Sequence, residues 1–141
     1  MALICDTGPL YAAIDRRDNA HEACAALLGS GEEELLVPAP VVVELEWLVE
    51  SRLGHAPFDA FLESVELGEV EIEALTESDH SRIRTLCNKY QSLPLGFVDA
   101  AVIAVAERLK EKKVATLDLR HFSVVRPSHT RTFQLLPEKF D

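Results

Sequence analysis

Leu95-Gly96-Phe97-Val98-Asp99-Ala100-Ala101-Val102-Ile103-Ala104-Val105-Ala106 reads as an apolar helix, and Asp99 is the only charged residue between Lys89 and Glu107. The residues three and four places from Asp99 are Leu95, Gly96, Val102 and Ile103, so its helical neighbours offer no polar partner. Burying an ionised carboxylate without a partner costs several kcal/mol or drives the group neutral. Either the helix N-terminus compensates Asp99, or a cation shared with other acids does. The chain around this helix is therefore read for those acids.

Upstream, Ala2 to Cys5 form a short apolar strand ending at Asp6, and Thr7-Gly8-Pro9 turns into a helix reaching about Arg16. Asp18 offers a cap for a helix over His21 to Leu28, and Leu35 to Val37 make a second strand. Pro38 and Pro40 lead into a helix from Val41 to Leu53 that stops at Gly54, and another runs from His55 to about Leu67. Val70, Ile72 and Ala74 alternate with Glu71 and Glu73 as in a strand, and Thr76 to Asp79 cap a helix ending near Tyr90. Downstream of the Asp99 helix, Val114 to Leu117 are a strand with Asp118 at its end. Short strands are expected near Val124-Val125 and Phe133 to Leu136. Short apolar strands alternating with helices imply α/β architecture with a parallel sheet covered on both faces. With 141 residues and no linker, repeat or low-complexity segment, residues 1–141 read as one domain.

No apolar run approaches the ~20 residues that span a bilayer, and Met1 to Asp6 lack a basic leader, so a cytoplasmic protein with no membrane association is expected. Cys5, Cys24 and Cys87 are odd in number, far apart and set among apolar residues, as reduced core thiols are. The five histidines show no metal-ligand spacing. The formal charge of -10 argues against indiscriminate nucleic-acid binding. Its distribution is uneven. No Lys or Arg lies between Arg52 and Arg82, whereas Leu119 to Pro137 carry Arg120, Arg126 and Arg131 with His121 and His129 and no acid.

In an open parallel sheet, sites form outside the carboxyl ends of the strands. Asp6 and Asp118 directly follow apolar strands, Asp99 opens a helix, and Glu44 lies in a helix among Pro40, Val41, Trp47 and Leu48. Glu46 is the weaker candidate, with Glu50 beside it. Taken singly, each acid is explained as a cap, a turn or a solvated edge residue. Together, four carboxylates at one edge repel unless cations stand between them, and hard oxygen ligands select Mg²⁺ or Mn²⁺. Thr7 and Thr116 are placed to donate to the acids, and Arg120 and His121 to meet a phosphate beside Asp118. Trp47 and Phe97 read as core aromatics.

Asp6-Thr7-Gly8-Pro9-Leu10, Val43-Glu44-Leu45, Leu93-Pro94-Leu95-Gly96-Phe97-Val98-Asp99-Ala100 and Ala115-Thr116-Leu117-Asp118 with Arg120-His121-Phe122 resemble the PIN-domain ribonucleases, and more narrowly the VapC toxins of type II toxin–antitoxin pairs. The resemblance implies a three-layer α/β/α sandwich on a mainly parallel sheet. It also implies an Mg²⁺ or Mn²⁺ site formed by Asp6, Glu44, Asp99 and Asp118, RNA hydrolysis leaving a 5′-phosphate and a 3′-hydroxyl, a homodimer, and inhibition by a VapB-like antitoxin. Leu119 departs from the pattern, since relatives often carry Arg there. Arg126 and Arg131 in the basic tail are expected to touch RNA phosphates. Two other readings stand beside this one. A receiver-like phosphoacceptor domain would want a mid-chain strand ending in Asp, where this chain has Ala74-Leu75. A non-catalytic binding module would use the same acids only as caps.

Overall fold

The computed structural model describes residues 1–138, so the last three residues of the 1–141 domain expected above lie outside the described residues. Five strands are all parallel: β1 (Ala2–Cys5), β2 (Glu34–Pro38), β3 (Val70–Glu73), β4 (Lys113–Ala115) and β5 (Gln134–Leu136), in the order β3-β2-β1-β4-β5. Register is set by Leu3 opposite Leu35 on one side of β1 and Ile4 opposite Val114 on the other. Every residue of β1 is buried, as expected of a central parallel strand covered on both faces.

Helices α1 (Thr7–Ile14) and α2 (His21–Gly29) connect β1 to β2, and α3 (Ala39–Arg52) and α4 (His55–Glu66) connect β2 to β3. Then α5 (Glu77–Lys89) and α6 (Phe97–Leu109) carry the chain back across the sheet to β4. Strand order therefore reverses between β1 and β4, whose outgoing connections diverge. That divergence opens a crevice at their carboxyl ends, where doubly wound sheets hold ligands.

The Asp99 segment forms α6, and residues Ala100 to Glu107 are all buried. A helix apolar all round has to be enclosed, and α6 is enclosed by α5, α3, β1 and β2. Glu107 is the exception to its apolarity. Arg82 of α5 holds it bidentately at 2.7 and 2.9 Å, and the Ser128 N–H donates to it at 2.8 Å. At the same junction the Arg108 guanidinium reaches Asp79 at 3.0 Å and Glu73 at 3.2 Å. These long-range pairs fix how α6 seats against α5, and with it where Asp99 lies.

The sequence-based element boundaries hold within a residue or two for β1 through β4, but the tail differs. The strand expected near Val124-Val125 is absent among the described residues; Leu119–Val124 form a short helix, α7, instead. Asp118 caps it by accepting from the His121 N–H at 3.1 Å, and this local bond overrides the strand preference of two adjacent valines. The strand expected from Phe133 to Leu136 is present as β5. Asp18 does not serve as the cap of α2, whose N-cap is Ala20; the Asp18 carboxylate accepts from the Ala20 N–H one turn early. Among the described residues no helix is long and apolar enough to cross a membrane, and all three cysteines are free thiols.

Candidate metal centre

Asp6 stands one residue past β1, in extended conformation as the N-cap of α1. Its Oδ1 accepts from the Thr7 N–H at 2.8 Å and its Oδ2 from the Thr116 hydroxyl at 2.9 Å. Thr116 sits just past β4, fully buried, and its oxygen also accepts from the Asp118 N–H at 3.0 Å. One hydroxyl thus ties the ends of the two strands that flank the crevice. Gly8 makes the closure possible: a Cβ there would stand 3.3 Å from Leu117 Cβ and Cγ, tighter than most packed contacts.

Asp6 is only 6 % exposed. Burial above all, and then the charge of Asp99, push its carboxyl up to about 6; the bonds from Thr7 and Thr116 pull the other way, and Glu44 adds a smaller push. Asp99 occupies the first turn of α6, whose N-cap is Gly96, so its side chain does not cap the helix. Its pKa is raised as well. Burial is the largest cause, the His121 hydrogen bond opposes it, and the charges of Asp118 and Glu44 add to it.

The partner Asp99 lacks within its own helix comes from α7. His121 Nδ1 lies 2.9 Å from Asp99 Oδ2 and 2.8 Å from Asp118 Oδ2. One ring nitrogen thus stands within hydrogen-bond distance of both carboxyl groups. Asp99, Asp118 and His121 together offer three potential ligand atoms within 4.8 Å of one another.

Of the four acids read from the sequence, the fold brings Asp6, Asp99 and Asp118 to the β1/β4 crevice. Glu44 is exposed on α3, with no hydrogen bond or ion pair among the described residues, yet near enough for its charge to act on Asp6 and Asp99. It lines an apolar groove together with Phe97 and Val98 at the start of α6. Thr116 takes the donor role expected of it. The Thr7 hydroxyl does not: it is buried without a partner, and the Thr7 backbone N–H makes the bond to Asp6. Arg120 and Leu119 are exposed at the start of α7.

Arg126 and Arg131 are not part of this cluster. They flank a shallow depression with Pro127, Thr130 and Thr132. The segment between them binds Glu107 and Glu111 through Ser128 and His129, at the far end of α6 from Asp99. Eight helical residues separate Asp99 from Glu107, about 12 Å of rise.

Trp47 and Phe97, expected in the core, are 69 % and 53 % exposed. They face an apolar groove of about 800 Å³ with Val43, Leu75 and Val98, and Glu44 stands in its wall. The spacing contained the signal: Val43, Glu44 and Trp47 share one face of a helix, so an outward Glu44 carries Trp47 outward with it.

A donor set of carboxylate oxygens, those of Asp6 and Asp99 on acids with raised pKa values, beside one orphaned buried hydroxyl and with no Lys or Arg bonded to it among the described residues, suits a hard divalent cation. If Asp6 is held for such an ion, its orienting hydroxyl matters more for binding than for folding. Thr116→Val preserves shape and removes that donor, so Mn²⁺ affinity measured by calorimetry should fall about 10-fold or more, with the far-ultraviolet dichroism unchanged.

A parallel 3-2-1-4-5 sheet with acids converging beside its switch point defines a class of protein, and comparison agrees with it. The PIN domain family model matches residues 3–126, and the chain belongs to that family. It is 32 % identical over 135 residues to Ribonuclease VapC26 of Mycobacterium tuberculosis, covering 96 % of this chain and all of that one. Among solved structures, the sarcin–ricin-loop-cleaving toxin VapC20 of M. tuberculosis superposes with a TM-score of 0.72 at 21 % identity, over 80 % of this chain and 87 % of that chain. FitAcB of Neisseria gonorrhoeae superposes with a TM-score of 0.62 at 23 % identity, over 85 % and 90 %. At those identities the two structures speak for the fold alone.

Proposed function

We propose that this protein is a divalent-metal-dependent endoribonuclease, a toxin of the VapC kind restrained by a cognate VapB-like antitoxin. The observation that carries the reading is the convergence of Asp6, Asp99 and Asp118 on one crevice, with Asp6 held by two hydrogen bonds although its charge is opposed by burial and by Asp99. Structural caps do not need to be assembled from three separate elements.

Asp6 and Asp99 are the principal ligands in this reading, with Asp118 beside them and Glu44 completing the site from α3. Thr116 holds Asp6 in place and Thr7 fixes it from the backbone. The ion, Mg²⁺ or Mn²⁺, supplies Lewis acidity to the phosphodiester and lowers the pKa of water when bound. Hydrolysis then leaves a 5′-phosphate and a 3′-hydroxyl. Residues 1–141 act as a single nuclease domain, supported by the family match over 3–126 and by a main core that draws on all five strands. We place it in the cytoplasm, where its free thiols stay reduced.

Exposed apolar surface supports protein partners, both an antitoxin and a second copy of this chain. The groove bearing Val43, Trp47 and Phe97 adjoins Glu44, so a chain seated there closes one side of the acid cluster. A second apolar groove lies between α1, α2 and α4, lined by Leu10, Ile14, Leu28 and Phe61.

Arg120 at the start of α7 and the Arg126–Arg131 depression are the cationic surface along which RNA is expected to run. Replacing Arg126 and Arg131 together by Gln should weaken RNA binding and flatten its dependence on salt by up to about two in log–log slope, since each phosphate contact releases about one counterion. Turnover at saturating RNA should change little. An unchanged slope would remove these residues from the RNA path.

The reading is tested by sequencing RNA ends after brief expression of the protein and of its Asp99→Ala variant. New 5′-phosphate ends that recur at defined positions with the wild type alone support it. Identical end profiles for the two proteins refute it.

A further inference from the structure

A single nitrogen lies against both Asp99 and Asp118. His121 Nδ1 stands 2.9 Å from one carboxylate oxygen and 2.8 Å from the other. Two ligand atoms at right angles on an ion with bonds of about 2.1 Å lie about 3 Å apart. Nδ1 is therefore spaced from each carboxylate as one ligand of such an ion is from its neighbour, and the three atoms lie within 4.8 Å of one another.

The backbone also holds His121 in that position. Its N–H donates to the other Asp118 oxygen, Oδ1, and it lies in the first turn of α7. The helix is anchored by Phe122, which is 1 % exposed and packs edge-on against Phe133. The imidazole is thus supplied by a packed element, and not by a free loop.

We propose that His121 Nδ1 is a ligand of the metal centre together with Asp99 and Asp118, so that the centre has one nitrogen donor and prefers Mn²⁺ to Mg²⁺. The proposal rests on the metal-dependent reading above and deepens it by assigning a donor. His121 would hold the ion through the Nδ1 lone pair, with the ring proton on Nε2, and Asp99 and Asp118 would hold it as carboxylates. Mg²⁺ favours an all-oxygen shell, whereas imidazole suits the later divalent metals and Mn²⁺ accepts both donor types.

Two measurements on the full chain decide it. In the first, Mn²⁺ is bound to protein carrying natural-abundance histidine and to protein labelled with ¹⁵N-histidine, and electron spin echo modulation is recorded. A directly bound ¹⁴N coupling that changes to ¹⁵N on labelling is expected, and Mn²⁺ bound with no histidine coupling overturns the assignment while leaving the metal-dependent reading intact. No Mn²⁺ binding at all overturns both. In the second, calorimetry compares Mn²⁺ and Mg²⁺ in the wild type and in His121→Phe, checked for folding by its thermal melt. A loss of about 10-fold or more is expected for Mn²⁺, with less than about threefold for Mg²⁺. Equal losses for both ions would show that the side chain merely positions the carboxylates. If His121→Phe does not fold, the labelling measurement on the wild type still decides.

Discussion

Asp99→Ala should lower RNA cleavage by about 10³-fold or more while leaving the domain folded. An acid of the centre supports several kcal/mol of charge stabilisation at the phosphodiester through the ion it holds, and each 1.36 kcal/mol is a factor of ten in rate. The fold has little stake in the side chain, because the N-cap of α6 is Gly96 and Asp99 makes no capping bond. Asp6→Ala should be as inactive but is the less clean experiment. It strips the N-cap from α1 and leaves the buried Thr116 hydroxyl without its acceptor, which costs about 1 kcal/mol or more in stability. Full activity in Asp99→Ala, measured as single-turnover cleavage of a labelled RNA, would remove Asp99 from the site.

The second large effect is on stability and concerns Asp6. In the unfolded chain its carboxyl titrates near 3.8, and in the folded metal-free protein burial and Asp99 push it up to about 6. Between those values the folded state binds the proton and the unfolded state does not, so this group's contribution is greatest below pH 3.8 and is lost as pH rises through 6. A difference of about two units corresponds to a loss on the order of 3 kcal/mol at neutral pH. Asp6→Asn keeps the shape and removes the charge. In metal-free buffer at pH 7 it should be more stable than wild type by on the order of 2 kcal/mol, and the gap should close toward pH 4. Millimolar Mg²⁺ should stabilise the wild type, by about 2.7 kcal/mol at one hundred times its Kd, and the variant far less. Urea melts at pH 4, 5.5 and 7, with chelator and with Mg²⁺, measure all of this. A simple helix cap predicts a near-neutral substitution at every pH and no response to metal.

Which parts of the site were legible in the sequence follows from how each residue is fixed. Asp6 directly follows β1 and Asp118 stands three residues past β4, and a strand end is a local feature that turn residues reveal. Asp99 was conspicuous because apolar neighbours gave it no partner within its helix. That partner, His121, was legible only as a residue near Asp118. Its approach to Asp99 depends on α7, and α7 depends on one capping bond that two valines and a short length concealed. The pairing of Arg82 with Glu107 and of Arg108 with Asp79 spans more than twenty residues in each case and has no local signature. Trp47 and Phe97 show the limit of periodicity. It identifies apolar positions on a helix, and Glu44 three residues before Trp47 marks their shared face as outward, but that this face lines an open groove follows only from the packed structure.

The central claim is that these acids hold a divalent cation and that the cation-loaded protein cuts RNA. The most direct measurement is cleavage of purified RNA by purified protein stripped of metal, then supplied with Mn²⁺, with the chemistry of the new ends determined. The account predicts no cleavage with chelator, recovery on adding Mn²⁺, and products bearing 5′-phosphate and 3′-hydroxyl. Cleavage that persists in chelator, or products ending in a 2′,3′-cyclic phosphate, would contradict it.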